Sequence, residues 1–290
     1  LYVMPSATGS LLLWKRFLPH VDAEQPVFGL TLPSTATGAP LFSDFETLAA
    51  RCAERLMATR SEGAFRLAGF SIGAALAYEV ARQLHLRGRE VESLVMIDVH
   101  ANRERSSVIE WLRLVPSYLL NFPLWIMDDV LQSSRSRLRE RLRINFQKIG
   151  KRLFGRYNSE RFRIQNDEDL PKPGDAVSAA YISGFQSYRP TRFPGPITLI
   201  RTRSQSPFEF RCYDYGWGKV TRHVDVWIVG GCYHHQLVEE PHVATVAVVL
   251  QKALDTGEII DSGNRNGPGK IVESPGLESS ANTPQPKCRR

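Results

Sequence analysis

The sequence predicts an α/β fold in which a mostly parallel central sheet is flanked by helices. Three observations carry that expectation. Short β-branched runs alternate with longer helical patterns over the first hundred residues, the alternation resumes after residue 175, and the segment between them is helical by composition. A length of 290 residues suits one domain of this class, and 42% hydrophobic with 23% charged residues exclude collagen-like, coiled-coil and wholly disordered chains.

Taken in order, Leu1 to Met4 reads as a strand, and the small-residue turn Ser6 to Ser10 leads into a helix near Leu11 to Leu18. A second strand, Val27 to Leu32, ends at Pro33. Ser43 is the expected cap of a helix that carries Phe45, Leu48, Ala49, Cys52 and Leu56 at helical spacing. Phe65 to Ala68 is a buried strand, and Ile72 to Leu86 a helix with Leu76, Val80 and Leu84 on one stripe, stopped by Gly88. Val91 to Ile97 supplies the next strand. From about 100 to 175 the rhythm is lost. This arginine-rich segment, with the aromatic patch Trp111, Tyr118, Phe122 and Trp125, reads as an inserted helical lid. A helix at Ala176 to Tyr188, strands at Ile197 to Arg201 and His223 to Val229, and a helix at His242 to Leu254 complete a domain spanning 1–255. The Gly-, Ser-, Asn- and Pro-rich stretch 256–290 is expected to be a disordered tail.

Composition narrows the function classes. The longest apolar stretch, Leu114 to Leu131, is broken by Pro116, Asn121, Pro123, Asp128 and Asp129, so no membrane span is expected and the chain reads as soluble. Four cysteines without a CxxC pair indicate neither a zinc site nor a disulfide framework, which fits a reducing cytoplasm. The opening LYVMPSATGS has no basic n-region and no initiating Met, as expected of a segment of a longer polypeptide. A net charge of +7 favours an anionic partner, but no nucleic-acid-binding motif accompanies it.

The chemistry centres on Gly69-Phe70-Ser71-Ile72-Gly73. A serine between a strand and a helix points its hydroxyl out of the sheet only through a strained turn, and glycines two residues to either side remove the side chains that would clash there. The strand FRLA directly before and the alanine-rich helix directly after supply the context of a nucleophile elbow. A serine hydroxyl needs a base to take its proton, and the base needs a carboxylate to hold its tautomer. Asp98, at the end of the strand after the elbow helix, is the expected acid, with Asp214 in a later loop as the alternative. His234 and His235 are the two histidines in a loop between a late strand and the last helix, and spacing does not separate them. The oxyanion needs N–H donors: Ile72 supplies one by the elbow's geometry, and Ala7, in the small-residue turn after the first strand, is the expected second.

Together these pieces resemble the type I thioesterase domain of nonribosomal peptide and polyketide synthases, an α/β-hydrolase. The resemblance runs from Leu1 to about Leu254 through GFSIGAALAYEVARQL, LVMIDVH, SYRPTRFPGPITLIRT, GWGKV and HHQLVEEPHV. In that family the base usually precedes the proline of the last segment by seven residues, which implies His234. Two departures stand out: Met4-Pro5 replaces the usual His-Pro turn, and Gly231-Cys232-Tyr233-His234 carries one extra residue before the base. The resemblance implies that Ser71 attacks a thioester on the phosphopantetheine arm of a carrier protein, with no cofactor bound by the domain itself, and that water or an internal nucleophile then frees an acid or a ring. It also implies Trp111, Tyr118, Phe122 and Trp125 as the acyl-chain pocket. The basic run Arg135, Arg137, Arg139, Arg141, Arg143, Lys148, Lys151 and Arg152 becomes a dock for an acidic acyl or peptidyl carrier protein upstream in the same polypeptide. A general esterase or lipase of the same fold, and a catalytically silent interaction module, are the other expectations compatible with the motifs.

Overall fold

A computed structural model describes residues 1–101, 176–203, 213–230, 232–255 and 270–272. Among the described residues seven strands form one sheet: β1 (Tyr2–Val3), β2 (Phe28–Gly29), β3 (Phe65–Phe70), β4 (Val91–Ile97), β5 (Ile197–Thr202), β6 (Val224–Val229) and β7 (Lys270–Val272). Their order is β2-β1-β3-β4-β5-β6-β7, and every pair is parallel. The central strands are apolar along nearly their whole length because both faces of a parallel sheet are covered. Leu67, Met96, Leu199 and Ile228 point to one face, where they meet α1 (Phe45–Thr59), α2 (Ile72–Leu86) and α3 (Ala176–Ser187). Their neighbours Ala68, Val95, Ile200 and Val229 point to the other face and pack on α4 (His242–Asp255) together with Trp14 and Phe17.

Helix α2 runs through the first of these cores. Its alanines 74, 75, 77 and 81 are fully buried and let the sheet and α1 approach closely, while the buried Glu79 is satisfied by Arg82, Gln83 and the Tyr188 hydroxyl. Gly88, at φ +72, adopts the left-handed backbone that ends the helix. The α2 and β4 boundaries coincide with those expected from the sequence.

Three expectations are corrected. The segment Leu11 to Leu18 is not an α-helix but two 3₁₀ turns, Leu12–Arg16 and Leu18–His20. The two residues it must bury, Trp14 and Phe17, lie three apart, the 3₁₀ period. Trp14 Nε1 donates to the Met4 carbonyl at 2.9 Å, and Pro19 cannot extend a longer helix. The cap of α1 is Asp44 rather than Ser43: the carboxylate accepts the Thr47 N–H at 2.7 Å, and the Ser43 hydroxyl donates to Asp44 instead. Within the tail expected to be disordered, residues 270–272 form β7, since Ile271 and Val272 are β-branched and β6 offers an open parallel edge. The expected lid, including Trp111, Tyr118, Phe122, Trp125 and the basic run, lies outside the described residues.

Candidate functional site

Strand order sets the site's location. The chain steps from β1 outward to β2 and then returns to β3 on the other side of β1, so the direction of winding reverses between β1 and β3. In open parallel sheets ligands bind in the crevice at the carboxyl ends of the strands beside such a reversal. The turn Pro5 to Ser10 leaves β1 there, and Ser71 follows β3 directly.

Ser71 has φ 55 and ψ −126, a conformation that L residues adopt only under constraint. Its N–H donates to the Ile97 carbonyl at 2.8 Å, its carbonyl accepts the Ala74 N–H at 2.9 Å, and its hydroxyl makes no capping bond to α2. The flanking glycines are sterically required. A Cβ on Gly69 would run into the backbone of Gly73 and Ala74, and one on Gly73 would lie 2.7 Å from the Pro5 carbonyl oxygen. The second contact also shows that the turn after β1 packs against the elbow, which brings the segment bearing Ala7 beside the start of α2. In that turn the Ser6 N–H donates to the Ser10 carbonyl and the Gly9 N–H to the Ser6 carbonyl.

Asp98 follows β4, again at positive φ (51), with its N–H donating to the Ile200 carbonyl at 2.8 Å. Its carboxylate is almost fully buried and accepts hydrogen bonds on both oxygens. Oδ2 lies 2.7 Å from His234 Nδ1, while Oδ1 accepts the Thr202 N–H at 3.1 Å, the Thr202 hydroxyl at 3.4 Å and the Tyr215 hydroxyl at 3.1 Å. Burial, the largest single influence, pushes this carboxyl up. The hydrogen bond and charge of His234, with the Thr202 N–H and the His100 charge, outweigh it and hold the carboxyl below its ordinary value. The group is therefore an anion near neutral pH.

The imidazole is placed from the far end of the chain. His234 opens the 3₁₀ turn His234–Val238 that joins β6 to α4, and its ring stacks on Phe70 with centroids 4.6 Å apart. Phe70 immediately precedes Ser71, so this stack sets the ring beside the elbow. Among the described residues no hydrogen bond joins the Ser71 hydroxyl to the His234 ring. That bond is often long in resting sites and tightens with substrate bound. His235 lies edge-on to His234 at 5.1 Å, and it is His234 that bonds Asp98.

The alternative acid is elsewhere. Asp214 receives the Gly216 N–H at 2.9 Å and the Gly218 N–H at 3.0 Å, bonds that close a turn. Three contributors were not singled out from the sequence: Phe70, Thr202 and Tyr215. Thr202 carried a signal, since it ends the strand paired beside Asp98. Tyr215 carried a weaker one in the Tyr-Gly pair that opens a left-handed turn.

The parallel sheet flanked by helices, with a strand–turn–helix elbow at Ser71, has the architecture of the α/β-hydrolase fold. Residues 1–109 match the family model described as Thioesterase domain, so the resemblance drawn from the motifs holds over that segment. Among curated relatives, non-reducing polyketide synthase Dhc5 of Alternaria cinerariae is 36% identical over 111 residues, covering 38% of this chain and 5% of the synthase. Non-reducing polyketide synthase PFUR17_0229 of Pseudevernia furfuracea is 31% identical over 148 residues, covering 50% and 7%. The chain thus spans a small fraction of these relatives. Among solved structures, the NocB thioesterase domain in covalent complex with a fluorophosphonate nocardicin G analogue superposes with a TM-score of 0.55 at 22% identity, covering 87% of this chain and 92% of that one. The prodiginine-pathway thioesterase RedJ of Streptomyces coelicolor gives 0.53 at 19%, covering 87% and 88%. At these identities the superpositions establish the fold.

Proposed function

We propose that the chain is a thioesterase that releases an acyl, peptidyl or polyketide chain from a phosphopantetheinyl carrier protein through an acyl-enzyme on Ser71. The observation that carries this reading is the 2.7 Å bond between Asp98 Oδ2 and His234 Nδ1, made at the carboxyl ends of the strands beside the elbow. The anionic Asp98 fixes Nδ1–H and leaves Nε2 as the proton acceptor. As Ser71 Oγ attacks the thioester carbonyl, His234 Nε2 takes the hydroxyl proton, and the N–H groups of Ile72 and Ala7 receive the oxyanion. When the tetrahedral intermediate collapses, the C–S bond breaks and the imidazolium returns the proton to the departing sulfur. Water, or a nucleophile within the acyl chain, then repeats the sequence on the ester, giving an acid or a ring with the same three residues.

Two features outside the described residues belong to the same reading. Trp111, Tyr118, Phe122 and Trp125 would form the acyl pocket, and the basic run from Arg135 to Arg152 would receive an acidic carrier protein encoded upstream in the same cytoplasmic polypeptide. The thioesterase match over residues 1–109 and the synthase relatives support the carrier as partner.

The test compares turnover of a pantetheine thioester with that of an oxygen ester, in the wild-type chain and in Ser71→Ala. The proposal expects thioester turnover that Ser71→Ala abolishes. Exclusive use of oxygen esters would make the chain a general esterase, and no turnover together with no fluorophosphonate labelling would make it a silent module. For the carrier dock, the KM for carrier protein should rise with salt, and a salt-independent KM would remove the electrostatic role.

A further inference from the structure

The turn at residues 213–220 packs beside the strand end that bears Asp98. Asp214 closes it through the Gly216 and Gly218 N–H groups. Two bonds fasten it to the strand end that bears Asp98: the Ala101 N–H donates to the Tyr215 carbonyl at 3.0 Å, and Trp217 Nε1 donates to the Val99 carbonyl at 2.8 Å. Within it Tyr215 is held at φ 52 and Gly216 at φ 88, two successive left-handed residues of which only the glycine adopts that backbone freely. The result is a tyrosine aimed inward. Its ring is 3% exposed, stacked on His100 at 3.7 Å with the Arg201 guanidinium 4.7 Å from its centroid, and its hydroxyl donates to Asp98 Oδ1.

We infer that Tyr215 is a positioning residue that fixes the rotation of the Asp98 carboxylate, so that Oδ2 alone faces His234. The inference rests on the triad reading proposed above. A carboxylate turns about Cβ–Cγ, and its two oxygens are chemically equivalent, so the group itself does not choose which oxygen makes the 2.7 Å bond to Nδ1, and donors on the other oxygen set that choice. Thr202 and Tyr215 occupy it with three donors. Both residues are neutral, so they hold the anion without offering it a cationic partner that would compete with His234. Among the described residues, the charged or titratable groups in contact with this carboxylate or its tyrosine ring are His234, His100 and Arg201, with the Arg201 guanidinium over the ring face. Asp214, for its part, shapes the turn that presents Tyr215 to the acid.

The experiment measures the maximal rate of Ser71 labelling by a fluorophosphonate, which requires the activated hydroxyl but no knowledge of the acyl substrate. Tyr215→Phe keeps the ring and its stacking. It should lower the maximal rate about tenfold, the usual effect of losing a donor to a charged acceptor, with the half-saturating probe concentration unchanged. Thr202→Val, which keeps the backbone N–H, should lower it about threefold. In an Asp98→Ala background the Tyr215→Phe change should cost less than about twofold, because its effect runs through the carboxylate. Equal losses in both backgrounds, or a wild-type rate in Tyr215→Phe, would overturn the inference. If Tyr215→Phe lost cooperative thermal unfolding, Thr202→Val compared in the two backgrounds would decide in its place. Labelling that persists in Ser71→Ala would instead refute the triad reading, whereas labelling that depends on Ser71 but ignores Tyr215 and Thr202 would refute this inference alone.

Discussion

Gly73→Ala tests whether the elbow glycines are there for the reason the geometry gives. The added Cβ would sit 2.7 Å from the Pro5 carbonyl oxygen and 3.4 Å from Met4 Cβ, where ordinary contact begins at 3.4 Å, so Pro5 and α2 must part by about 0.7 Å. Two effects oppose each other. Alanine gains up to about 1 kcal/mol over glycine within a helix, and overpacking typically costs about 1–3 kcal/mol. Overpacking wins because the obstacle is backbone, and the Tyr181 hydroxyl already holds the same carbonyl at 3.3 Å. A net loss of about 1–2 kcal/mol lowers the melting temperature by about 2–8 °C in a domain of this size. The effect on rate should be larger. The displaced segment carries the turn with Ala7, and misplacement of catalytic groups by about 1 Å can cost on the order of 10²-fold. Differential scanning calorimetry together with the rate of Ser71 labelling reads both quantities. A Gly73→Ala variant that melts and reacts like wild type would refute the steric argument for the motif.

Further expectations concern single groups. Asp98→Asn should lower kcat by about 10³–10⁴-fold with the fold intact, and Asp214→Asn should act mainly on stability, by about 1 kcal/mol; the reverse pattern in steady-state assays would exchange their roles. The folded Asp98 carboxyl lies below its ordinary 3.8, so it contributes stability that is present above that value and is lost as pH falls through the lowered one. Melting temperatures measured across that acidic window should therefore fall less steeply for Asp98→Asn than for wild type, and parallel curves would contradict the assignment. Burial pushes the Cys52 thiol up to about 12, against a smaller opposing influence from Arg55. A disulfide reagent with peptide mapping should leave Cys52 unmodified in the native protein and modify it after denaturation, whereas rapid native modification would refute its burial.

The parts of the fold legible in the sequence were those in which local pattern and tertiary role coincide. Helix α2 and strand β4 are long and mostly buried, and α2 is bounded by Ser71 and Gly88, so burial, periodicity and backbone freedom all point to the same limits. The 3₁₀ turns at Leu12–Arg16 and Leu18–His20 escaped because the same apolar residues fit either period, and it was the bond from Trp14 to the Met4 carbonyl that selected the tighter one. At the site, the elbow could be read because its demands are local. The strand-end position favoured Asp98 over Asp214, which sits farther along a loop, but the bond from Asp98 to His234, 136 residues later, is a contact that no local pattern announces. Tyr215 was hidden for the same reason. Its meaning lies in a bond across 117 residues, and nothing in its neighbours' composition announces that contact.

The most direct measurement is the mass of the enzyme quenched during turnover of a pantetheine thioester, followed by peptide mapping. The proposed mechanism expects one acyl group esterified to Ser71, accumulating when release is slow and missing from Ser71→Ala. Thioester cleavage at the wild-type rate by Ser71→Ala, or an acyl group mapped to another residue, would contradict it.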